Sequence, residues 1–463
     1  MSLNETLKYP AESFQIQTFL NEIISLICEK LNERENEAIN MVEVSKLCEL
    51  LPAIQVKDQK ELMAKIAIYL DHATNVQSPQ FIGHQVAAPS LGSMVGDLIH
   101  AIFNNSAAVY DMGASGIAVE KNLIQFFTKK VGWDEQSGGI FTHGGSLSLF
   151  SGILAARAWA QSDVWTKGVD KSLVGLVPEI SHYSVTRSFS MLGLGSENVR
   201  KVKVNDKGQM IISELKLQVK NLIKEKRKPF VIVANAGSTA IGSFDDLEEV
   251  AGICQSHKIW FHVDGAHGAS SLMSPTYNSL VKGIELADSI TWDAHKMLQS
   301  SSLSAMLLFK NKNHMPLMFN QEASYLDGAN ETEFPNLYPF AVECTKPVNS
   351  LKLYFHLLIE GEEGIAKIIE KLFESTFKFY QLINNQDDFI SEIEPQANIL
   401  VFKYKKSKNQ KSLYKKVIKD GQFHITYTEF RGEGFLRFTV MNPSTNEDHI
   451  HKLLNFIRSS SLC

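Results

Sequence analysis

The chain is poor in cysteine. Its 463 residues include five, Cys28, Cys48, Cys254, Cys344 and Cys463, which lie far apart and are odd in number. They form no CxxC pair and no zinc-ligand spacing, so the sequence predicts neither a disulfide framework nor a metal site. Scattered thiols of this kind favour a reducing, cytoplasmic location.

Long apolar runs and dense basic runs are also lacking. No apolar stretch approaches the ~20 residues that cross a bilayer, and the polar start lacks a signal-peptide core. We therefore expect no membrane association. Lys+Arg number 46 against 51 Asp+Glu, a net charge of −5. The short basic run at 224–228 contains Glu225 and is typical of a solvated helix end. No nucleic-acid partner is expected.

What is present is an ordinary globular composition, 44% hydrophobic and 21% charged, without repeats. Residues 1–75 show helical periodicity. Across residues 140–310, apolar strands alternate with helical stretches, which predicts an α/β fold with a mainly parallel sheet and helices on both faces. The strand candidates are Leu173–Val177, Phe230–Ala234, Ile259–Val263 and Ser289–Trp292.

Two of these strands each deliver one ionisable residue to the sheet edge. Asp264 follows Ile259–Val263, and His295-Lys296 follow Ser289–Trp292. Ligands in such sheets bind beyond the carboxyl ends of the strands. A lysine can form a Schiff base with the aldehyde of pyridoxal phosphate (PLP), and an aspartate can keep its pyridine nitrogen protonated. A lone lysine or aspartate after a strand is usually a surface residue or a turn residue, so the hypothesis rests on the combination.

The motifs His262–Gly268 and Trp292–Met297 resemble the signature of the group II PLP-dependent amino-acid decarboxylases, and the resemblance extends over residues 81–443. It implies PLP fold type I with a seven-stranded type of sheet, and a homodimer with shared active sites. It also implies three regions: an N-terminal helical dimerisation arm (1–75), a large PLP-binding domain (76–345) and a small α+β C-terminal domain (346–463).

The resemblance assigns catalytic roles to four residues. Lys296 would carry the cofactor, Asp264 would bind its ring nitrogen, and His182 would stack on its ring. Tyr325, in a polar loop at residues 319–330, would return a proton after carbon dioxide leaves. The structural alternatives are an ordinary histidine after a strand and an ordinary surface tyrosine.

Further cofactor contacts are expected around a glycine-rich stretch, Gly138–Ser148, that precedes the apolar run Leu149–Ala160. Backbone N–H groups and the positive end of a helix dipole at such a turn suit a phosphate, although the same composition occurs in plain turns. The alternative for Thr239 is capping of the helix near Asp245. The predicted cofactor contacts outside the catalytic set are Ser146, Leu147, Ser148, Thr239, Ala266 and His295.

Substrate contacts are predicted at His84, Gln85 and Lys346, with a structural turn as the alternative for the first two. Many relatives have an arginine pair where Lys346 and Pro347 stand, so a bidentate contact is lost. Asp293 replaces an asparagine of many relatives, and it receives no phosphate-binding role because an anion is unfavourable there.

The sequence thus predicts PLP-dependent decarboxylation of an L-amino acid to the corresponding amine and carbon dioxide, through a Schiff base on Lys296. The alternatives are a PLP-dependent lyase, transaminase or aldehyde-forming relative on the same fold, or a catalytically silent scaffold. Acidic, diamino and aromatic substrates all remain open.

Overall fold

The computed structural model describes residues 11–51, 56–319 and 335–461. The chain divides into two compact units. The first comprises Met1–His84, Leu382–Ile390 and Phe402–Cys463, and the second comprises Gln85–Gln381 and Ser391–Val401. The three regions predicted from the sequence stay a prediction, since these units join the beginning of the chain to most of its end.

A seven-stranded sheet forms the centre of the second unit, in the order β1-β7-β6-β5-β4-β2-β3. Strands β3, β2, β4, β5 and β6 run parallel to one another in that order, whereas β7 is antiparallel to both β6 and β1. The predicted fold class, a mainly parallel α/β sheet, is confirmed. The strands are β1 (Gly138–Thr142), β2 (Leu173–Pro178), β3 (Val199–Val202), β4 (Lys228–Asn235), β5 (Trp260–Asp264), β6 (Ser289–Asp293) and β7 (Ala305–Phe309).

The apolar runs form strands because the sheet is covered by helices, so that both faces of each central strand are buried. Every residue of β2, β6 and β7 is buried. Trp260 and Trp292 are among the largest fully buried side chains. Strands that are buried on both faces are typical of parallel sheets, and they favour apolar residues on both faces.

Helices α1 to α3 belong to the first unit, and α4 begins the second. The prediction of helices in residues 1–75 is confirmed. Within α11, Gly361 has a non-helical φ of 65° and divides the element at a kink. The helices are α1 (Ser13–Glu33), α2 (Val44–Leu50), α3 (Gln59–His72), α4 (Leu91–Phe103), α5 (Tyr110–Val131), α6 (Gly145–Ala160), α7 (Val164–Lys167), α8 (Tyr183–Met191), α9 (Ile212–Lys224), α10 (Leu247–His257), α11 (Ser350–Asn384), α12 (Gln410–Asp420) and α13 (Glu447–Ser461).

One local prediction is wrong. The glycine-rich stretch Gly138–Ser148 is not a single turn, because its first five residues form β1 and pair with β7. The turn is limited to His143 and Gly144, and α6 begins at Gly145. Gly144 has a φ of 91°, a left-handed conformation that favours glycine.

A second, four-stranded sheet has the order β10-β11-β9-β8. Its β10–β11 and β8–β9 pairs are antiparallel. The strands are β8 (Phe389–Ile390), β9 (Ile399–Tyr404), β10 (Thr426–Phe430) and β11 (Glu433–Thr439). In the part of the chain that the structure describes, no helix combines the length and apolar character needed to span a bilayer.

Candidate active site

Neighbouring parallel strands place the two predicted reactive groups at one edge of the sheet. Asp264 is the last residue of β5 and pairs in register with Thr291 of β6. Lys296 lies three residues beyond the end of β6, in a turn. Because β5 and β6 run in the same direction, their carboxyl ends carry both groups to the same side of the sheet.

Lys296 is not a surface lysine. Its side chain is only 17% exposed, and its Nζ lies 3.2 Å from Oδ2 of Asp293. The alternative of a solvated lysine therefore does not hold. An amine held in a partly buried turn is available for covalent chemistry once a neighbouring group releases it.

The carboxylate of Asp264 is held at the end of β5 by the turn that follows. Its Oδ1 accepts a hydrogen bond from the amide of Ala266 at 3.3 Å. The carbonyl of Ala266 accepts in turn from the amide of Asp293 at 3.2 Å. Ala266 therefore links the ends of the strands that carry Asp264 and Lys296.

His182 is the N-cap residue of α8 and lies four residues after the end of β2. The amide of Ser184 donates to its Nδ1 at 3.3 Å, and the Ser184 hydroxyl lies 2.7 Å from the same nitrogen. Burial lowers the pKa of His182. The negative charges of Asp264 and Asp293 oppose that shift, and the positive charge of Lys296 adds to it. A neutral imidazole, which carries its hydrogen on Nε2, thus lies within electrostatic reach of both strand ends.

The first turn of α6 contains three predicted cofactor contacts. The side chain of Ser146 is exposed, Leu147 is half-buried and Ser148 is buried. The Ser148 hydroxyl lies 3.0 Å from both Thr291 Oγ1 and Met306 O, so it is directed into the protein. The amides of Leu147 and Ser148 donate to the carbonyl of Gly144 at 3.1 and 3.2 Å. The amides of Gly145 and Ser146, which come before them in the helix, are the donors at this point.

Asp293 and His295 lie against this helix start. A β-carbon added at Gly145 would lie 2.6 and 2.7 Å from the two carboxylate oxygens of Asp293, and one at Gly144 would lie 3.9 Å from His295 Cε1. His295 Nδ1 is 2.8 Å from the carbonyl of Ser304, which fixes the ring. Its Nε2 is 3.8 Å from Asp293 Oδ2.

Thr239 lies in the turn between β4 and α10 and is half-buried. The alternative role predicted for it, capping of the next helix, is wrong. The cap is Asp246, whose side chain accepts from the amide of Glu249 at 3.1 Å. The Thr239 hydroxyl is therefore not committed to that helix.

Lys346 does not lie free for substrate. Its ammonium pairs with the carboxylate of Glu120, and the two side chains are 3% and 2% exposed. Glu120 also accepts from the amide of Phe141 in β1 at 2.9 Å. Because each charge compensates the other inside the protein, the geometry assigns Lys346 to a buried ion pair rather than to the predicted substrate contact.

The remaining predicted residues are distributed over the chain. His84, in the first unit, has its ring 4.8 Å from that of His424. Gln85, in the second unit, has a buried Nε2 without a hydrogen-bond partner among the described residues. Tyr325 lies outside the described residues.

A buried chain of polar groups was not predicted from the sequence. The His262 ring lies 2.8 Å from Ser289 Oγ and 3.2 Å from Thr291 Oγ1, which in turn contacts Ser148. Burial lowers the pKa of His262 to about 4, so the ring is neutral. This chain ties β5 and β6 to α6. The sequence signal for it is that polar residues alternate with apolar ones in both strands.

Arg437 of β11 was also missed. It is 5% exposed, and its Nη1 donates to Gly83 O at 3.0 Å. Its Nε and Nη2 are buried without a hydrogen-bond partner in the described part of the chain. A guanidinium with free donors is suited to a carboxylate. An arginine inside an otherwise apolar strand is the signal that sequence reasoning could have used.

Comparisons with known proteins identify the family. Residues 45–405 match the family model described as the pyridoxal-dependent decarboxylase conserved domain. Acidic amino acid decarboxylase GADL1 of Xenopus tropicalis is 27% identical over 95% of this chain and 90% of its own length. Human cysteine sulfinic acid decarboxylase is 27% identical over 89% and 88%. The L-2,4-diaminobutyrate decarboxylase of Acinetobacter baumannii is 28% identical over 86% and 82%.

Solved structures show the same fold. Mouse CSAD superposes with a TM-score of 0.91 at 24% identity, over 97% of this chain and 99% of that one. Oryza sativa TDC, solved with PLP and tryptamine, gives a TM-score of 0.90 at 18% identity, over 98% and 99%. The fold is that of fold type I PLP enzymes. The chain belongs to the pyridoxal-dependent decarboxylase family, and it is a PLP-dependent amino-acid decarboxylase, a carboxy-lyase.

The residues at the sheet edge fit this cofactor. A partly buried amine, a carboxylate fixed by a backbone amide and a neutral imidazole are the groups that its aldehyde, its ring nitrogen and its ring face require. Asp293 does not fit the cofactor in this way. Its buried Oδ1 lacks a hydrogen-bond partner among the described residues, and it lies against the start of α6, where the cofactor phosphate would bind.

Proposed function

We propose that Lys296, Asp264 and His182 form the catalytic centre for decarboxylation of an L-amino acid. The observation that carries this proposal is the delivery of Asp264 and Lys296 to one sheet edge by adjacent parallel strands. His182 supports it, because its pKa responds to both charges.

When bound, PLP supplies an electron sink for the charge left on the α-carbon as carbon dioxide departs. Lys296 would attach the cofactor through Nζ and exchange with the amine of the substrate. Asp264 would hold a proton at the pyridine nitrogen. His182, anchored through Nδ1 by Ser184, would keep the ring in place and present its Nε2 hydrogen. Tyr325 remains the proposed donor of the proton that returns to the α-carbon.

The phosphate would lie at the first turn of α6, near Ser146 and Leu147, with His295 beside it. Ser148 would contribute through its place in the first turn of α6. Its hydroxyl would not contact the phosphate, because it is directed at Thr291 and Met306. Ala266 would act by fixing Asp264, and Thr239 would face the cofactor from the turn after β4.

For the substrate, we propose an amino acid with an acidic side chain. Two of the relatives are named for acidic amino acids and cysteine sulfinic acid. His84 and Gln85 remain the proposed substrate contacts.

Product analysis tests the proposal. The purified protein should be incubated with PLP and each of about twenty amino acids, and carbon dioxide and amine should be measured together. Stoichiometric release of both from an acidic amino acid supports the proposal. A keto acid or an aldehyde as the main product would favour the transaminase or aldehyde-forming alternatives, and preference for a diamino or aromatic substrate would refute the substrate class.

We also propose a cytoplasmic homodimer with shared active sites. In α4, Leu91, Met94, Leu98 and Ile102 lie on one helical face and are 70%, 40%, 40% and 46% exposed. Such an apolar stripe is expected to be covered by a partner. The described cysteines are all free, which fits a reducing compartment. Sedimentation at decreasing concentration tests the assembly, and a fully active monomer would contradict it.

A further inference from the structure

The phosphate end of the proposed cofactor site already contains an anion of the protein itself. Asp293, the last residue of β6, is 1% exposed. Its carboxylate lies against Gly145, the first residue of the 16-residue helix α6. The N-terminal end of a helix carries a partial positive charge and attracts anions.

The surroundings of the Asp293 carboxylate are those of an anion that another anion can displace. Oδ2 lies 3.2 Å from Lys296 Nζ and 3.8 Å from His295 Nε2. Oδ1 is buried and has no hydrogen-bond partner among the described residues. A buried acceptor without a donor is costly, so only part of the carboxylate is compensated.

We propose that Asp293 acts as an internal competitor of the cofactor phosphate. Its carboxylate lies against Gly145 at the start of α6, and its Oδ2 is 3.2 Å from Lys296 Nζ. The phosphate of PLP needs the same helix end, and attachment needs the same lysine, so binding must separate Asp293 from both. Two anions at one helix end repel each other. Asp293 therefore weakens cofactor binding and makes the cofactor exchangeable.

This inference rests on the proposed positions of Lys296 and of the phosphate. It predicts that Asp293→Asn, which keeps the shape and removes the charge, binds PLP at least about tenfold more tightly, a change of about 1.4 kcal/mol. Inorganic phosphate should raise the melting temperature of the cofactor-free variant more than that of the parent.

The matched control is Asp246→Asn. It removes one negative charge at another helix start of the same unit, and asparagine is an equally good cap there. Its PLP dissociation constant should stay within twofold of the parent. Spectrophotometric titration of the cofactor-free proteins gives these constants without any measurement of turnover.

Equal or weaker PLP binding by Asp293→Asn would overturn the inference. If the variant does not fold, pyridoxal without phosphate gives an independent test in the parent protein. Its affinity should be within about tenfold of that of PLP, and a larger loss would contradict the inference, because the phosphate would then bind strongly in spite of Asp293. Borohydride reduction and peptide mapping of the parent separate the two proposals. If the cofactor is on Lys296 and Asp293→Asn has an unchanged affinity for PLP, only this inference is refuted. If the cofactor is on another lysine, the proposed function is refuted.

Discussion

Replacement of Lys346 by methionine should destabilise the protein without changing substrate affinity. Lys346 and Glu120 are almost completely buried and compensate each other. Methionine keeps much of the volume and removes the charge. Glu120 is then left as a buried carboxylate that keeps the hydrogen bond from the amide of Phe141 but has lost its cation.

The expected size follows from this burial. Removal of one partner from a buried ion pair costs about 3–5 kcal/mol, because the other charge stays buried without compensation. The double variant Glu120→Gln/Lys346→Met should recover at least half of that loss, since the glutamine oxygen can still accept from Phe141. Lys216→Met is the control, because the Lys216–Glu249 pair is 58% and 53% exposed and such pairs contribute little.

Thermal unfolding monitored by circular dichroism measures the stability, and initial rates over a range of substrate concentrations give KM. We expect a large fall in melting temperature for Lys346→Met, recovery in the double variant and an unchanged KM in both. A stable Lys346→Met variant with a KM raised tenfold or more would refute the buried-pair assignment and restore the predicted substrate contact.

Three other predictions concern Asp264, His356 and Tyr325. Asp264→Asn should remain folded and lose about 10²–10³-fold in kcat, because an amide cannot hold the ring proton, and a rate within threefold of the parent would refute its role. His356→Leu should flatten the acid side of the stability profile: burial lowers the pKa of His356 to about 4, so the neutral ring stabilises the fold fully above pH 6.5, and roughly 3 kcal/mol is lost as the pH falls from 6.5 to 4. Urea unfolding at pH 7 and pH 5 gives the free energy of unfolding at each pH, and the same difference between the two values in parent and variant would contradict this. Tyr325→Phe should release amine more slowly and give more aldehyde with unchanged PLP binding, and equal yield and rate would identify another proton donor.

The strands of the large sheet could be predicted because their signal is local. The runs Leu173–Val177 and Phe230–Ala234 are continuously apolar, and such continuity is typical of a buried parallel strand. The proximity of Asp264 and Lys296 followed from topology, since parallel neighbours end at one edge. Gly138 and Gly139 were misassigned because their pairing with β7 depends on residues about 170 positions away.

Contacts that depend on long-range packing could not be predicted. The sequence around Lys346 gives no sign of Glu120, which lies 226 residues earlier. The partner of Ser148 is Thr291, on another strand. For Arg437, only its position in an apolar strand was visible, whereas its two unused donors depend on what surrounds it.

The central claim is that Lys296 carries the cofactor. The protein loaded with PLP should be reduced with borohydride and digested, and its peptides should be mapped by mass spectrometry, with Lys352 as an internal reference for a buried lysine outside the site. We predict one pyridoxyl group per chain, on the peptide that contains Lys296, and none on Lys352. A pyridoxyl group on any other lysine, with Lys296 unmodified, would contradict the account.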